Sequence, residues 1–303
     1  MNQNIYKRLC EALPEERILI NEPMKKHTTF RIGGPADYFV VPSAWEETEK
    51  VIAVCKEMQV PYYIIGNGSN LLVSDKGYRG VIIQLYRDMS QVEVKGNVIF
   101  AQAGASLARI AGAALEAGLT GFEFAAGIPG TLGGACVMNA GAYGGEMKDV
   151  LVRVTVLDEE DKIRVIEKED LELGYRTSII AKKGYTVLGA EIELQKGEKD
   201  AIQAYMNELK EKRVTKQPLE YPSAGSTFKR PEGYFAGKLV QDAGLRGFRV
   251  GDAMVSEKHC GFVINAGDAT AAQVDELMRQ VSAKVKEQFG VTLEPEVKRL
   301  GEF

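Results

Sequence analysis

The chain has 303 residues, 45% hydrophobic and 26% charged, with a formal net charge of -4. That balance supports a sizeable core in two domains, or in one domain with a large insertion, and excludes a fibrous repeat or a disordered tail. The acidic total offers no basic field for a nucleic-acid backbone, so any phosphate must be bound locally.

The first twenty residues hold no apolar stretch of signal-peptide length, and no later segment approaches the apolar run of a membrane helix. A cytoplasmic protein with no membrane insertion is expected. Cys10, Cys55, Cys136 and Cys260 are far apart, and His27 and His259 are the only histidines. This pattern favours neither a metal site nor a disulfide framework.

Ser43 with Glu46 opens a segment whose Val51, Ile52, Val54, Cys55 and Met58 recur at helical spacing, with Pro61 beyond its end. Two short runs rich in β-branched and aromatic residues follow, 62–65 and 80–85, and predict buried strands. Ser106 caps a helix whose Leu107, Ile110, Ala111, Ala114 and Leu115 share a face, with Gly118 at its left-handed stop. After a glycine-rich stretch, 151–158 and 186–194 alternate apolar with polar residues, as strands with one buried face do.

Asp200 with Gln203 starts a helix that ends near Gln217 and Pro218. A domain boundary is expected just before it, dividing the chain into 1–198 and 199–303. The remainder reads as a loop over 221–233, an apolar run at 261–266 and a helix from Thr270 to about Gly290. Its buried stripe is Val274, Leu277, Met278, Val281 and Val285.

Two loops place bare backbone where a ligand could touch it: "GNGSN", Gly66 to Asn70, directly after a strand, and "GIPGTLGG", Gly127 to Gly134, with its tail "NAGAYGG". Glycine permits positive φ and close approach, and successive N–H groups can cradle an anion without a cationic side chain. A pyrophosphate fits that description, and Asn67, Ser69 and Asn70 can add hydrogen bonds. Neither loop is a GxGxxG dinucleotide fingerprint or a GxxxxGK[ST] phosphate loop, so the usual nucleotide folds are not supported.

The ordered set "TTFRIGGPADYFVVP", "GNGSNLLVSDKGYRGVII", "AGIPGTLGGACVMNAGAYGGE", "GYRTS", "YPSAGSTFKRP" and "LEPEV" covers nearly the whole chain. It resembles the UDP-N-acetylenolpyruvoylglucosamine reductase (MurB) family of peptidoglycan synthesis. The resemblance implies an α+β protein: an FAD-binding region of the vanillyl-alcohol-oxidase (PCMH) type, followed by a smaller α/β substrate-binding domain. It also implies noncovalent FAD, with NADPH as hydride donor and UDP-N-acetylglucosamine-enolpyruvate as substrate.

By the same resemblance, Gly66, Asn67, Gly68, Ser69 and Asn70 hold the flavin diphosphate from one side. Gly127, Gly130, Gly133, Gly134, Asn139 and Gly141 line the other, and Arg31 lies near the cofactor. Arg176 would stabilise the developing carboxylate charge, Ser226 would donate the proton, and Glu296 would polarise the substrate carboxylate or enolate. Tyr175, Arg213 and Lys229 are candidates for holding the substrate or its diphosphate. Where many relatives have asparagine after "FK", this chain has Arg230, which carries no transferred role.

The short connection after Arg176 resembles the subclass lacking a tyrosine-bearing insertion, and a monomer is expected. Two other readings stand beside this one. Another vanillyl-alcohol-oxidase-type oxidase or dehydrogenase would share the glycine loops without needing Arg176, Ser226 and Glu296 together. A flavin-binding cell-wall module without catalysis would not need them at all.

Overall fold

A computed structural model describes residues 3–303. The chain divides into two compact units, each assembled from separate stretches. The first comprises the described residues up to Leu19, then Tyr38–Asn67 and Val81–Arg213; the second comprises Ile20–Asp37, Gly68–Gly80 and Val214–Phe303.

In the first unit a five-stranded antiparallel sheet runs in the order Ile163–Glu167, Leu151–Leu157, Thr186–Glu193, Val98–Gln102, Val92–Lys95. Val154 faces Ala190, which in turn faces Ala101, so one branched and two small side chains stand in a row across the central strands. The helix Leu107–Glu116 starts as its sequence requires. Ser106 Oγ accepts from Arg109 N at 3.2 Å, and Gly118 at φ +65° closes the far end.

The helix Trp45–Glu57 buries Val51, Ile52, Val54 and Cys55, but its start differs from the expectation. Ala44 is the cap, and the N–H and hydroxyl of Ser43 both donate to Glu47 Oε2 rather than to Glu46. The strand Tyr62–Ile65 pairs parallel with Val81–Gln84. One continuous apolar cluster, from Ile5 to Leu194, forms this unit's core.

The second unit is built on a four-stranded antiparallel sheet ordered Ser223–Ser226, Phe262–Asn265, Ala253–Val255, Arg249–Val250. The helix Ala271–Phe289 packs on it through Val274, Leu277, Met278, Val281 and Val285. Thr270 and Gln273 form its capping box, and Gly290 at φ +71° ends it. Lys298–Leu300 pairs parallel with Leu71–Val73.

One expectation is corrected. Residues 223–226, read as loop, form a strand. Main-chain pairing of Ser223 with Ile264 and Ser226 with Phe262 makes it, and the intervening register shift accommodates Gly225 at φ +77°. The compact units divide at Arg213/Val214, and Met206 of the helix Lys199–Lys216 packs on the first core. The second unit also draws in Phe30, Ile32 and Leu72 from early stretches that local pattern assigns to the first domain.

Candidate active site

Within the first unit Gly66 and Asn67 meet the second glycine loop. Asn67 Nδ2 donates to Pro129 O at 2.7 Å, and a Cβ at Gly66 would lie 2.1 Å from Thr131 Oγ1. Thr131, which sequence reading passed over, is 2% exposed and precedes the short helix Leu132–Val137. Its position ahead of a helix, where capping residues gather, is the signal that could have marked it.

Part of the bare backbone serves the fold itself. Leu132 N and Gly133 N donate to Ala105 O and Ala103 O, so neither amide is open to a ligand. A Cβ at Gly133 would stand 3.1 Å from Ala103 Cβ, and one at Gly141 would stand 2.7 Å from Gly145 O. Gly130 O accepts from Leu107 N. At Gly134, by contrast, a Cβ would meet only Thr131 Oγ1 at 3.9 Å, and at Gly144 it would meet nothing within 4 Å. The open backbone is thus concentrated at Gly134 and Gly144.

Arg213 lies against Gly127, where a Cβ would sit 2.8 Å from its guanidinium. Burial pushes its pKa down, and among the described residues no carboxylate pairs with it. A half-buried cation without an acid is a suitable partner for an anionic ligand. Cys136 is fully buried, and burial pushes its thiol up to about 12, which leaves it without the thiolate character that covalent flavin attachment would need.

Arg176 sits at the tip of a tight turn in the first unit. Gly174 and Thr177 exchange backbone hydrogen bonds of 3.1 and 3.3 Å, and Arg176 adopts the left-handed φ of +56°. Its guanidinium carbon stands 5.1 Å from the ring centroid of Tyr175, which is 54% exposed. Ser178 follows, capping the helix Ile179–Lys183 and donating to Val137 O at 2.7 Å. The Asn139 side chain is engaged within the protein. It is fully buried, and both amide donors and its carbonyl oxygen have protein partners: Glu146, Gly174 and Lys148.

In the second unit Glu296 pairs through its backbone with Thr227, the residue after Ser226. Beyond Ser226 the chain runs antiparallel to 294–296: Glu296 N donates to Thr227 O, Lys229 N donates to Glu294 O, and Phe228 bridges Pro295. The Glu296 residue is buried while Ser226 is exposed. Lys229 Nζ pairs with Glu294 Oε1 at 2.5 Å.

Asn70 Nδ2 donates to Glu296 O at 3.3 Å, tying the loop to the acid's backbone. Ser69 has no hydrogen-bond partner among the described residues. Gly68, at φ +60°, has its would-be Cβ 2.1 Å from His27 O. Arg31, also at positive φ, lines a cavity of about 340 Å³ with Lys25, Asp75 and Thr270. Among the described residues no cluster of three metal-ligating side chains occurs, and no helix is long and apolar enough to cross a membrane.

The donor set of the first unit fits a flavin dinucleotide: open backbone at Gly134 and Gly144, and the Arg213 cation against Gly127. A sequence model of an FAD binding domain matches residues 36–167. One of the UDP-N-acetylenolpyruvoylglucosamine reductase C-terminal domain matches residues 217–300. These two matches define a flavin-dependent oxidoreductase with a dedicated second domain.

The chain is 56% identical, over the full length of both, to the UDP-N-acetylenolpyruvoylglucosamine reductase of Agathobacter rectalis. The crystal structure of UDP-N-acetylenolpyruvylglucosamine reductase from Thermus caldophilus superposes with a TM-score of 0.80 at 36% identity, over 94% of this chain and 98% of that one. A 4-ethylphenol oxidase from Gulosibacter chungangensis shares the fold alone, with a TM-score of 0.51 at 13% identity over 64% of this chain and 42% of that one. The chain belongs to the UDP-N-acetylenolpyruvoylglucosamine reductase family.

Proposed function

We propose that Arg176, Ser226 and Glu296 carry the chemistry of the family reaction in this chain, with Tyr175, Arg213 and Lys229 holding the substrate. The reaction is the NADPH-dependent reduction of UDP-N-acetylglucosamine-enolpyruvate to UDP-N-acetylmuramate, a step of peptidoglycan precursor synthesis. FAD, when bound, takes hydride from NADPH and supplies it to the terminal methylene carbon of the enolpyruvyl group.

Hydride arriving at that carbon leaves negative charge on the neighbouring carbon and its carboxylate. A permanently charged planar guanidinium suits this charge, and Arg176 is held for the purpose on a two-residue tip rather than on a free loop. Ser226 gives the proton from Oγ to the carbon beside the carboxylate. A serine hydroxyl is a weak acid, but the species it protonates is strongly basic, and positioned transfer of this kind is worth about 10²- to 10⁴-fold. Glu296 helps polarise the substrate carboxylate or enolate.

The pairing of 227–229 with 294–296 is the observation that supports this reading most, because the partner of Glu296 is Thr227, the residue after Ser226. The four free thiols agree with a reducing, cytoplasmic setting, and a monomer is the assembly we infer. Ser226→Ala tests the assignment by anaerobic stopped flow. NADPH reduces the flavin at the normal rate, and reoxidation by the enolpyruvyl substrate slows about 10²- to 10⁴-fold. Normal reoxidation, or a defect confined to reduction, removes Ser226 as the donor.

A further inference from the structure

We infer that Asn139 is a positioning residue for Arg176, acting through the turn that carries it and not through the cofactor. The inference rests on the role proposed above for Arg176. Asn139 is 0% exposed and adopts a left-handed φ of +43° immediately after the glycine-rich helix. Its amide nitrogen donates to Gly174 O at 3.1 Å and to Glu146 Oε2 at 2.6 Å, and its Oδ1 accepts from Lys148 N at 2.9 Å.

Gly174 is the residue whose N–H and carbonyl both pair with Thr177 to close the Tyr175–Arg176 tip. The carbonyl held by Asn139 therefore also closes that turn, two residues from the guanidinium. Ser178 Oγ to Val137 O fixes the other side of the tip to the end of the same helix. The turn is thus anchored at both flanks to the helix Leu132–Val137 and the residue two beyond it. Of the two anchors, only Asn139 reaches the turn carbonyl itself. A side chain with two donors and an acceptor at this position is needed to satisfy Gly174, Glu146 and Lys148 at once, and aspartate lacks the donors.

The test uses the FAD-loaded protein. Asn139→Asp alone sets two carboxylates at hydrogen-bond distance, so Glu146→Gln is combined with it. The introduced amide donates to the introduced carboxylate, the Lys148 N–H is still accepted, the bond to Gly174 O is lost, and the ion pair of Glu146 Oε1 with Lys148 Nζ is reduced to a neutral hydrogen bond. The double variant, though it melts lower than the parent because a carboxylate is now buried, should retain FAD and be reduced by NADPH at the parent rate. Its reoxidation by UDP-N-acetylglucosamine-enolpyruvate should fall about 10²-fold, the scale expected when a reacting group is misplaced by about 1 Å.

Adding Arg176→Ala to it should slow reoxidation no further than Arg176→Ala does by itself. Parent-like reoxidation, losses that multiply, or loss of FAD would each overturn the inference, the last by returning Asn139 to the cofactor. If the double variant does not fold, Asn139→Gly, which keeps the left-handed φ, is read by the same criteria. An Arg176→Ala protein with normal reoxidation defeats the role of Arg176 itself. Slow Arg176→Ala beside a normal Asn139 variant defeats only the positioning.

Discussion

Gly134→Ala should make the cofactor-free protein more stable and its hold on FAD weaker. A methyl group there meets only Thr131 Oγ1, at 3.9 Å, so no protein atom opposes it. Glycine within a helix costs about 0.5–1 kcal/mol relative to alanine. Relieving that cost should raise the apo melting midpoint by about 1–3 °C. If the flavin diphosphate lies on this backbone, the same methyl holds it away. Loss of one charge-assisted hydrogen bond, about 1.5–3 kcal/mol, weakens FAD about 10- to 150-fold. The measurements are differential scanning fluorimetry of apoprotein and an FAD titration followed by flavin fluorescence. Unchanged FAD affinity would take Gly134 off the cofactor surface. A destabilised apoprotein would refute the steric reasoning, since that result belongs to Gly133, where Ala103 Cβ is only 3.1 Å from the added carbon.

Arg176→Lys should leave flavin reduction intact and slow substrate-driven reoxidation at least about tenfold, because a point charge cannot reproduce the guanidinium fork; equal rates in stopped flow would remove the assignment. Leu277→Ala, at a fully buried position of the long carboxy-terminal helix, should cost about 2–5 kcal/mol in denaturant unfolding. A loss below about 1 kcal/mol would mean that the second core is loosely packed there. The thiols of Cys55 and Cys136 are both pushed up to about 12 by burial, so they stay protonated in the fold after an unfolded chain has released those protons. Their contribution to stability is complete below about pH 9 and is lost as pH rises towards about 12. Cys55→Ala/Cys136→Ala should therefore show a shallower alkaline decline in melting temperature, and an identical slope would contradict the sign.

Elements with a strong local signature were legible. The stripe from Val274 to Val285, with Thr270 and Gly290 as its ends, marks the last helix within a residue of its observed bounds. The alternation at 151–158 and 186–194 marks two central strands of the five-stranded sheet. The strand Ser223–Ser226 was not legible, because its residues are small and only main-chain partners far along the sequence make it a strand. The hairpin Val92–Lys95 with Val98–Gln102 was legible but went unread: Val92, Glu93, Val94 and Lys95 alternate apolar with charged, and Gly96 and Asn97 make the turn.

At the site, the resemblance pointed to residue types but not to their employment. Asn67, Asn70 and Asn139 looked like ligand-facing amides, yet each donates to a backbone carbonyl of the protein. A sequence shows that an amide is present; which carbonyl lies within reach depends on the tertiary fold. Gly66 and Gly133 are glycines because Thr131 and Ala103 crowd them, a requirement set by residues distant along the chain.

The interleaving of the two units bears on how the protein is made. Phe30, Ile32 and Leu72 belong to a core whose other members include Val263, Leu277 and Val297, and Leu71–Val73 finds its strand partner only at Lys298–Leu300. At about 5–20 residues per second, the nascent chain carries those early apolar segments for about 10–45 s before their partners leave the ribosome. The first unit can begin to condense during synthesis, while the second must close at or after termination. Until then residues 20–37 and 68–80 are targets for holding chaperones, and a fragment cut after 213 would be left with both segments and no core to receive them.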